Sequence, residues 1–167
     1  MTIVMETERL CLGELTDADA DFIFRLVNQP SWLQYIGDKG VHNLDDARRY
    51  INDGPRTMYA RHGLGLYRVS LKASGEAIGL CGLLKRDTLE DVDIGFAFLP
   101  QAWGQGYALE AAAATLRYGL QVLELPRIVA IVSPGNRSSI RLLEKLGLRF
   151  VKKMRLTDDA DEVQYFA

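Results

Sequence analysis

Gln101-Ala102-Trp103-Gly104-Gln105-Gly106-Tyr107-Ala108 is the stretch whose residue types and spacing could do chemistry. It lies between an alternating apolar run, Val92 to Phe98, and an alanine-rich run, Leu109 to Val122, which predict a strand and a helix. A glycine-bearing loop at a helix N-terminus is an anion site. The first backbone N–H groups have no partners inside the helix, and the helix dipole favours negative charge there. Gly104 and Gly106 remove the Cβ atoms that would hold a phosphate away from those donors. The expectation is a phosphorylated cofactor or substrate at residues 101 to 108.

The elements that must position this loop follow from periodicity. Glu8 to Leu15 predicts a first strand. Thr16 then caps a helix whose apolar stripe is Phe22, Ile23, Leu26 and Val27, ended at Asn28-Gln29-Pro30. Ser31 to Ile36 reads as a short helical piece. A further helix starts near Asn43 or Leu44, with Asp53-Gly54-Pro55 as a possible interruption. Leu64 to Leu71 and Ala77 to Lys85 form a hairpin around Lys72-Ala73-Ser74-Gly75-Glu76. Beyond the alanine-rich helix come a buried strand, Arg127 to Val132, and a helix capped by Asn136 or Ser138 and stopped at Lys145 and Gly147. Leu148 to Leu156 and Val163 to Phe166 end the chain as strands. The order β-α-α-β-β-β-α-β-α-β-β predicts an α/β chain with a mixed central sheet of about seven strands and helices on both faces.

Bulk properties remove other function classes. A chain of 167 residues, 48% hydrophobic and 25% charged, predicts one globular domain over residues 1–167. A formal charge of −2 offers nothing to nucleic acid as main partner. No apolar run is long enough for a membrane span, and Glu6, Glu8 and Arg9 spoil a signal-peptide reading. Cys11 and Cys81, both in strand-like runs, read as reduced buried thiols, which suits the cytoplasm. His42 and His62 have no ligand-like spacing, so no metal is indicated.

Two phosphate loops fail on the residues. A P-loop needs lysine and then serine or threonine after its second glycine, where this chain has Tyr107-Ala108. A dinucleotide fingerprint needs glycine or alanine at Leu109 and an acidic residue after the next strand, which ends Val132-Ser133-Pro134. Gln101-Ala102-Trp103-Gly104-Gln105-Gly106 instead resembles the Gln/Arg-x-x-Gly-x-Gly/Ala loop of the GNAT (GCN5-related) N-acetyltransferases. The run Asp93-Ile94-Gly95-Phe96, Pro100, Trp103 to Ala108 and Glu110-Ala111 resembles their RimJ/RimL-type branch. Asn136 to Ile140, Glu144 to Gly147 and Phe150 resemble that family's second signature, on its last helix.

The resemblance implies a GNAT fold with two splayed central parallel strands, here ending near Phe98 and Val132. It implies acetyl-CoA as cosubstrate, with its pyrophosphate on Gln101, Trp103, Gly104, Gln105, Gly106, Tyr107 and Ala108. Backbone groups of Phe96, Phe98 and Leu99 would meet the pantetheine and the thioester carbonyl, and Asn136 the pantetheine. The reaction implied is direct attack of an amine on the thioester, aided by a backbone oxyanion donor. Many members carry a tyrosine acid where this chain has Leu143; RimL-like members resemble it in having a serine at Ser139, proposed to protonate the departing sulfur. The other reading of Ser139 is a hydroxyl bonded back to the helix.

An α-amine with a pKa near ~7.8 asks little of a base, whereas a lysine amine near ~10.4 asks much more. Asp93 is the candidate base, on the strand face of Gly95 and Ala97; a carboxylate tied to a neighbouring arginine is the other reading. Glu110 reads as structural. Trp32 and Tyr35 stand where relatives have acceptor-site walls, or else pack in the core. The expected activity is an acetyl-CoA-dependent N-acetyltransferase acting on a protein N-terminal amine. The alternatives are a small-molecule amine acceptor and a weakly active acyl-CoA-binding module. Homodimers are common among such relatives.

Overall fold

The computed structural model describes residues 2–167. The strands are β1 (Ile3–Glu6), β2 (Leu10–Gly13), β3 (Leu66–Leu71), β4 (Ala77–Leu84), β5 (Val92–Phe98), β6 (Ile128–Val132), β7 (Phe150–Met154) and β8 (Val163–Phe166). The helices are α1 (Ala20–Val27), α2 (Pro30–Tyr35), α3 (Leu44–Ile51), α4 (Thr57–His62), α5 (Tyr107–Arg117) and α6 (Arg137–Lys145). All eight strands join one sheet in the order β1-β2-β3-β4-β5-β6-β8-β7. Neighbours are antiparallel except β5 and β6, which are parallel. The mixed sheet with helices on its faces agrees with the α/β expectation.

Two details go beyond it. The N-terminus adds an eighth strand, because Ile3 to Glu6 turns back through Thr7-Glu8-Arg9 and pairs with β2. At the other edge β8 inserts between β6 and β7, so the final hairpin enters the sheet by its second strand.

The sheet separates two apolar layers. On one face Ile94 and Phe98 pack with Ala111, Ala112 and Ala114 of α5, with Leu143 of α6, and with Phe166. Alanines at the contact let α5 lie close on β4 and β5. On the other face Leu80 and Leu99 pack with Ile23, Leu26 and Val27 of α1 and Ala47 and Ile51 of α3. Alternation along β5 directs Asp93, Gly95 and Ala97 to this second face: a Cβ on Gly95 would sit 3.4 Å from Leu84 and 3.5 Å from Leu66.

The local signals act as their chemistry requires. Thr16 and Asp19 form a reciprocal capping box ahead of α1. Asn43 caps α3, its side chain accepting from the Asp46 N–H. Pro55 lacks a backbone N–H, and the chain passes it through a wide helical turn, Asn52–Arg56, before α4 resumes. Tyr59 then fastens α4 to the sheet: its hydroxyl donates to the Leu66 carbonyl and accepts from Leu15 N–H.

Candidate active site

The parallel strands β5 and β6 pair only at Val92–Ile128 and Asp93–Val129. Beyond that point β5 keeps its β4 partner to Phe98, while Ala130 to Val132 of β6 pair with β8 alone. The two strands therefore part toward their C-terminal ends and leave a gap in the middle of the sheet. Leu99 N–H donates to Ile78 O at 2.9 Å. In an antiparallel ladder alternate residues face alternate neighbours, so Ala97 and Gly95 also turn their backbone groups to β4. Phe96 and Phe98 turn theirs into the gap. The Phe98 carbonyl is taken there by Trp103 Nε1–H at 2.9 Å. Leu99 differs from Phe96 and Phe98: its N–H is spent on Ile78, its carbonyl accepts from Ala102 N–H, and its side chain is buried.

The glycine loop closes the open end of this gap. Trp103 is anchored through its indole N–H yet 56% exposed, and Gln105 Nε2 donates to Gln101 O at 3.2 Å. Gly104 and Gly106 hold φ of 75° and 82°, the left-handed region that L side chains resist. Gly106 is the residue before α5 and supplies no side-chain cap, so the first N–H groups of α5, Tyr107 and Ala108 among them, are left for an external acceptor. These open donors beside the gap fit a ligand that carries a phosphate and a slender arm.

α6 begins beside the same end of the gap. The Ser133-Pro134-Gly135 turn follows β6, and Asn136 caps α6 by accepting from Ser139 N–H at 3.3 Å. Asn136 Oδ1 also accepts from the Ser138 hydroxyl. Leu143 is buried in the core. Ser139 lies one helical turn before it and so shares its inward face, half-buried at the mouth of the gap. Among the described residues the Ser139 hydroxyl makes no hydrogen bond, in contrast to Thr115, whose hydroxyl bonds back to Ala111 O at 2.8 Å.

Asp93 occupies the closed end. It is 1% exposed, and its Oδ1 lies 3.0 Å from Arg86 Nε. Burial raises its carboxyl above the ordinary range, and the Arg86 charge and hydrogen bond offset part of that rise. Trp32 is 4% exposed within the second apolar layer, so it packs as core, and its Nε1 has no hydrogen-bond partner among the described residues. Tyr35 is half-buried and joins α2 to the mouth of the gap: its carbonyl accepts from the Ser133 hydroxyl at 2.8 Å, and its ring lies 3.9 Å from the place a Gly135 Cβ would take. On the same face of the sheet, a cavity of ≈ 110 Å³ lies between Leu66, Leu84, Met58 and Tyr50. A shallower one of ≈ 400 Å³ adjoins it through Tyr50 and Gly54, bordered by Lys39 and Asp53.

Thr7 and Arg9 also reach the loop, a contact the sequence does not announce. Glu110, in the first turn of α5, accepts from the Thr7 hydroxyl at 2.5 Å, from Arg9 N–H at 2.9 Å and from Arg9 Nε at 2.8 Å. The pairs lie 101 to 103 residues apart in the chain, so no local pattern could have signalled them. Cys81 is fully buried beside Thr115 and its thiol is pushed up to about 12 by burial, which leaves it inert. His42 and His62 are exposed. No group of three or more His, Cys, Asp or Glu side chains able to hold a metal is found among the described residues, nor a helix long and apolar enough to cross a membrane.

Residues 9–149 match the family model described as the acetyltransferase (GNAT) domain. An uncharacterized N-acetyltransferase, YoaA of Bacillus subtilis (strain 168), is 30% identical over 148 residues, covering 87% of this chain and 82% of its own. The crystal structure of an acetyltransferase from Agrobacterium tumefaciens str. C58 superposes with a TM-score of 0.83 at 27% identity, covering 100% of this chain and 96% of its own. RimL, a ribosomal L7/L12 alpha-N-protein acetyltransferase solved in complex with coenzyme A, has the same fold. Its TM-score is 0.83 at 16% identity, over 98% of this chain and 96% of its own.

Proposed function

This chain belongs to the GNAT acetyltransferase family and is an acyltransferase, and from that premise we propose that it carries acetyl from acetyl-CoA to the α-amine of a protein N-terminus, as a single catalytic domain of RimJ/RimL type working in the cytoplasm. The parting of β5 and β6 beyond Asp93–Val129, directly beside the open donors of the glycine loop, carries the coenzyme half of this reading, and the fold shared with RimL supports the α-amine half. A strand gap is an odd place for a dinucleotide and a fitting one for a narrow arm. In this reading the loop from Gln101 to Ala108 holds the diphosphate, and Asn136 adds a contact to the arm.

Acetyl-CoA supplies a thioester carbonyl; the amine nitrogen bonds to that carbon, the C–S bond breaks, and the sulfur leaves with its electron pair. The backbone N–H groups of Phe96 and Phe98, turned into the gap, are the donors for the oxyanion. Ser139 hands its proton to the departing sulfur and takes up the one that the amine sheds, so that no alkoxide is left; its hydroxyl, free of any bond back to the helix, supports this role. Asp93, the candidate base of the sequence, is sealed at the closed end and tied to Arg86, away from the mouth where the amine arrives, which supports its other reading as a structural carboxylate. Tyr35, at the mouth, borders the acceptor; Trp32 backs it from the core.

A small amine is the second reading; the hollow of ≈ 400 Å³ on this face is open and shallow, lined by Lys39, Asp46, Arg49 and Asp53 rather than by residues of the gap. A thiol-release assay separates the readings. It compares peptides with free N-termini, the same peptides N-terminally blocked but bearing lysine, polyamines and free amino acids. Release with free α-amine peptides alone is expected. Release with small amines only would establish the second reading, and coenzyme A binding without release on any acceptor would leave an acyl-CoA-binding module.

A further inference from the structure

A carboxylate in the first turn of the helix that receives a phosphate is a contradiction. Glu110 is such a residue, one turn from Gly106. Its charge would add to the helix dipole in isolation, yet it would repel an anion arriving at the same N–H groups. The structure resolves the conflict by turning Glu110 back to the β1–β2 hairpin. There its two oxygens are engaged by the Thr7 hydroxyl, the Arg9 N–H and Arg9 Nε. Burial alone would raise the Glu110 carboxyl, but these bonds and the Arg9 charge outweigh it and hold it below its ordinary value.

Arg9 does more than pair with Glu110. Its Nη1 donates to the Gln105 carbonyl at 3.0 Å, inside the glycine loop. Its guanidinium lies 4.4 Å over the Tyr107 ring, and its Nη2 is 3.4 Å from where a Gly106 Cβ would stand. One side chain therefore touches loop residues 105 and 107, crowds the side-chain position at Gly106, and pairs with the acid behind them.

We propose that Arg9 masks the Glu110 carboxylate and braces the loop, so that the N-terminus of α5 stays open to the diphosphate of the coenzyme. Arg9 is a positioning residue in this account, because it acts through Glu110 and the loop backbone. The proposal rests on the coenzyme A reading given above. Removing Arg9 leaves a bare carboxylate at the anion site, whereas removing the Glu110 charge leaves a bare cation there. The two substitutions break the same ion pair and should move phosphate affinity in opposite directions, which a purely structural contact would not do.

The test is coenzyme A binding by titration calorimetry, with acetyl-pantetheine, an acetyl donor that has no phosphate, as the matched substrate in the thiol-release assay. With the Glu110 carboxylate left bare beside the diphosphate, Arg9→Ala is expected to weaken coenzyme A about tenfold. Glu110→Gln is expected to hold or strengthen it, and Arg9→Ala with Glu110→Gln to recover most of the loss. The Arg9→Ala deficit should shrink in high salt, as charge repulsion is screened, and the kinetics with acetyl-pantetheine should be unchanged. Equal weakening by Arg9→Ala and Glu110→Gln would overturn the masking, as would an Arg9→Ala variant that binds coenzyme A like wild type. Wild-type protein that binds no coenzyme A would instead overturn the reading on which the proposal stands.

Discussion

Asp93 and Val129 form the last pair of the parallel ladder between β5 and β6 before the two strands part. Everything assigned to the coenzyme lies beyond that pair, toward Phe98 and Val132. Everything behind it, including the Arg86 ion pair of Asp93, belongs to the closed end of the sheet. The position of this one pair therefore sets how deep a ligand arm can enter.

Ser139 is the side chain whose loss should affect chemistry without affecting binding. Ser139→Ala is expected to lower kcat by about tenfold or more, toward the low end for a general acid, since a thiol with a pKa near ~8.5 is already a fair leaving group. KM for acetyl-CoA should stay within about twofold, because the hydroxyl acts on the departing sulfur. Steady-state kinetics would check this, and an unchanged kcat would remove Ser139 from the mechanism.

Gly106 holds φ at 82° with the Arg9 guanidinium close by. Gly106→Ala is expected to weaken coenzyme A by about tenfold, since a left-handed backbone costs a side-chain-bearing residue about 1–2 kcal/mol. Gly104→Ala tests the backbone term alone, because a Cβ there meets nothing within 4 Å. Calorimetric affinities that matched wild type in both variants would show that the loop does not need its glycines.

Much of this site is legible in the sequence, and the reason is locality. The loop's glycines, the Asn136 cap and the Leu143 position all sit within a few residues of the element they serve. The strands' separation follows from the family resemblance and not from periodicity, because pairing between segments as distant as β5, β6 and β8 leaves no local pattern. Trp32 looks like a site wall from its place after α1, yet it is sealed into the second apolar layer. β1 is short and does not alternate, so Ile3 to Glu6 carries no period-two signal. Thr7 and Arg9 escape for the same reason as β8: only the folded hairpin brings them to Glu110.

Two carboxylates should pull stability in opposite senses with pH. The folded-state carboxyl of Glu110 is held below its ordinary value of 4.5, so the stability it contributes is present above that value and is lost as pH falls through the lowered one. The carboxyl of Asp93 is raised above 3.8, so its contribution is full below that value and is lost as pH rises through the raised one. Denaturation midpoints from about pH 3 to 7 should therefore converge toward wild type on acidification for Glu110→Gln. For Asp93→Asn, the balance should shift in the variant's favour as pH rises. The same pH trend in both variants would contradict these assignments.

The most direct measurement is a crystal structure of the protein with coenzyme A. The diphosphate is expected on the backbone N–H groups of residues 104 to 108 and the pantetheine arm between β5 and β6, stopping short of the Asp93–Val129 pair. A coenzyme bound elsewhere on the molecule, with β5 and β6 closed over an empty gap, would contradict that placement.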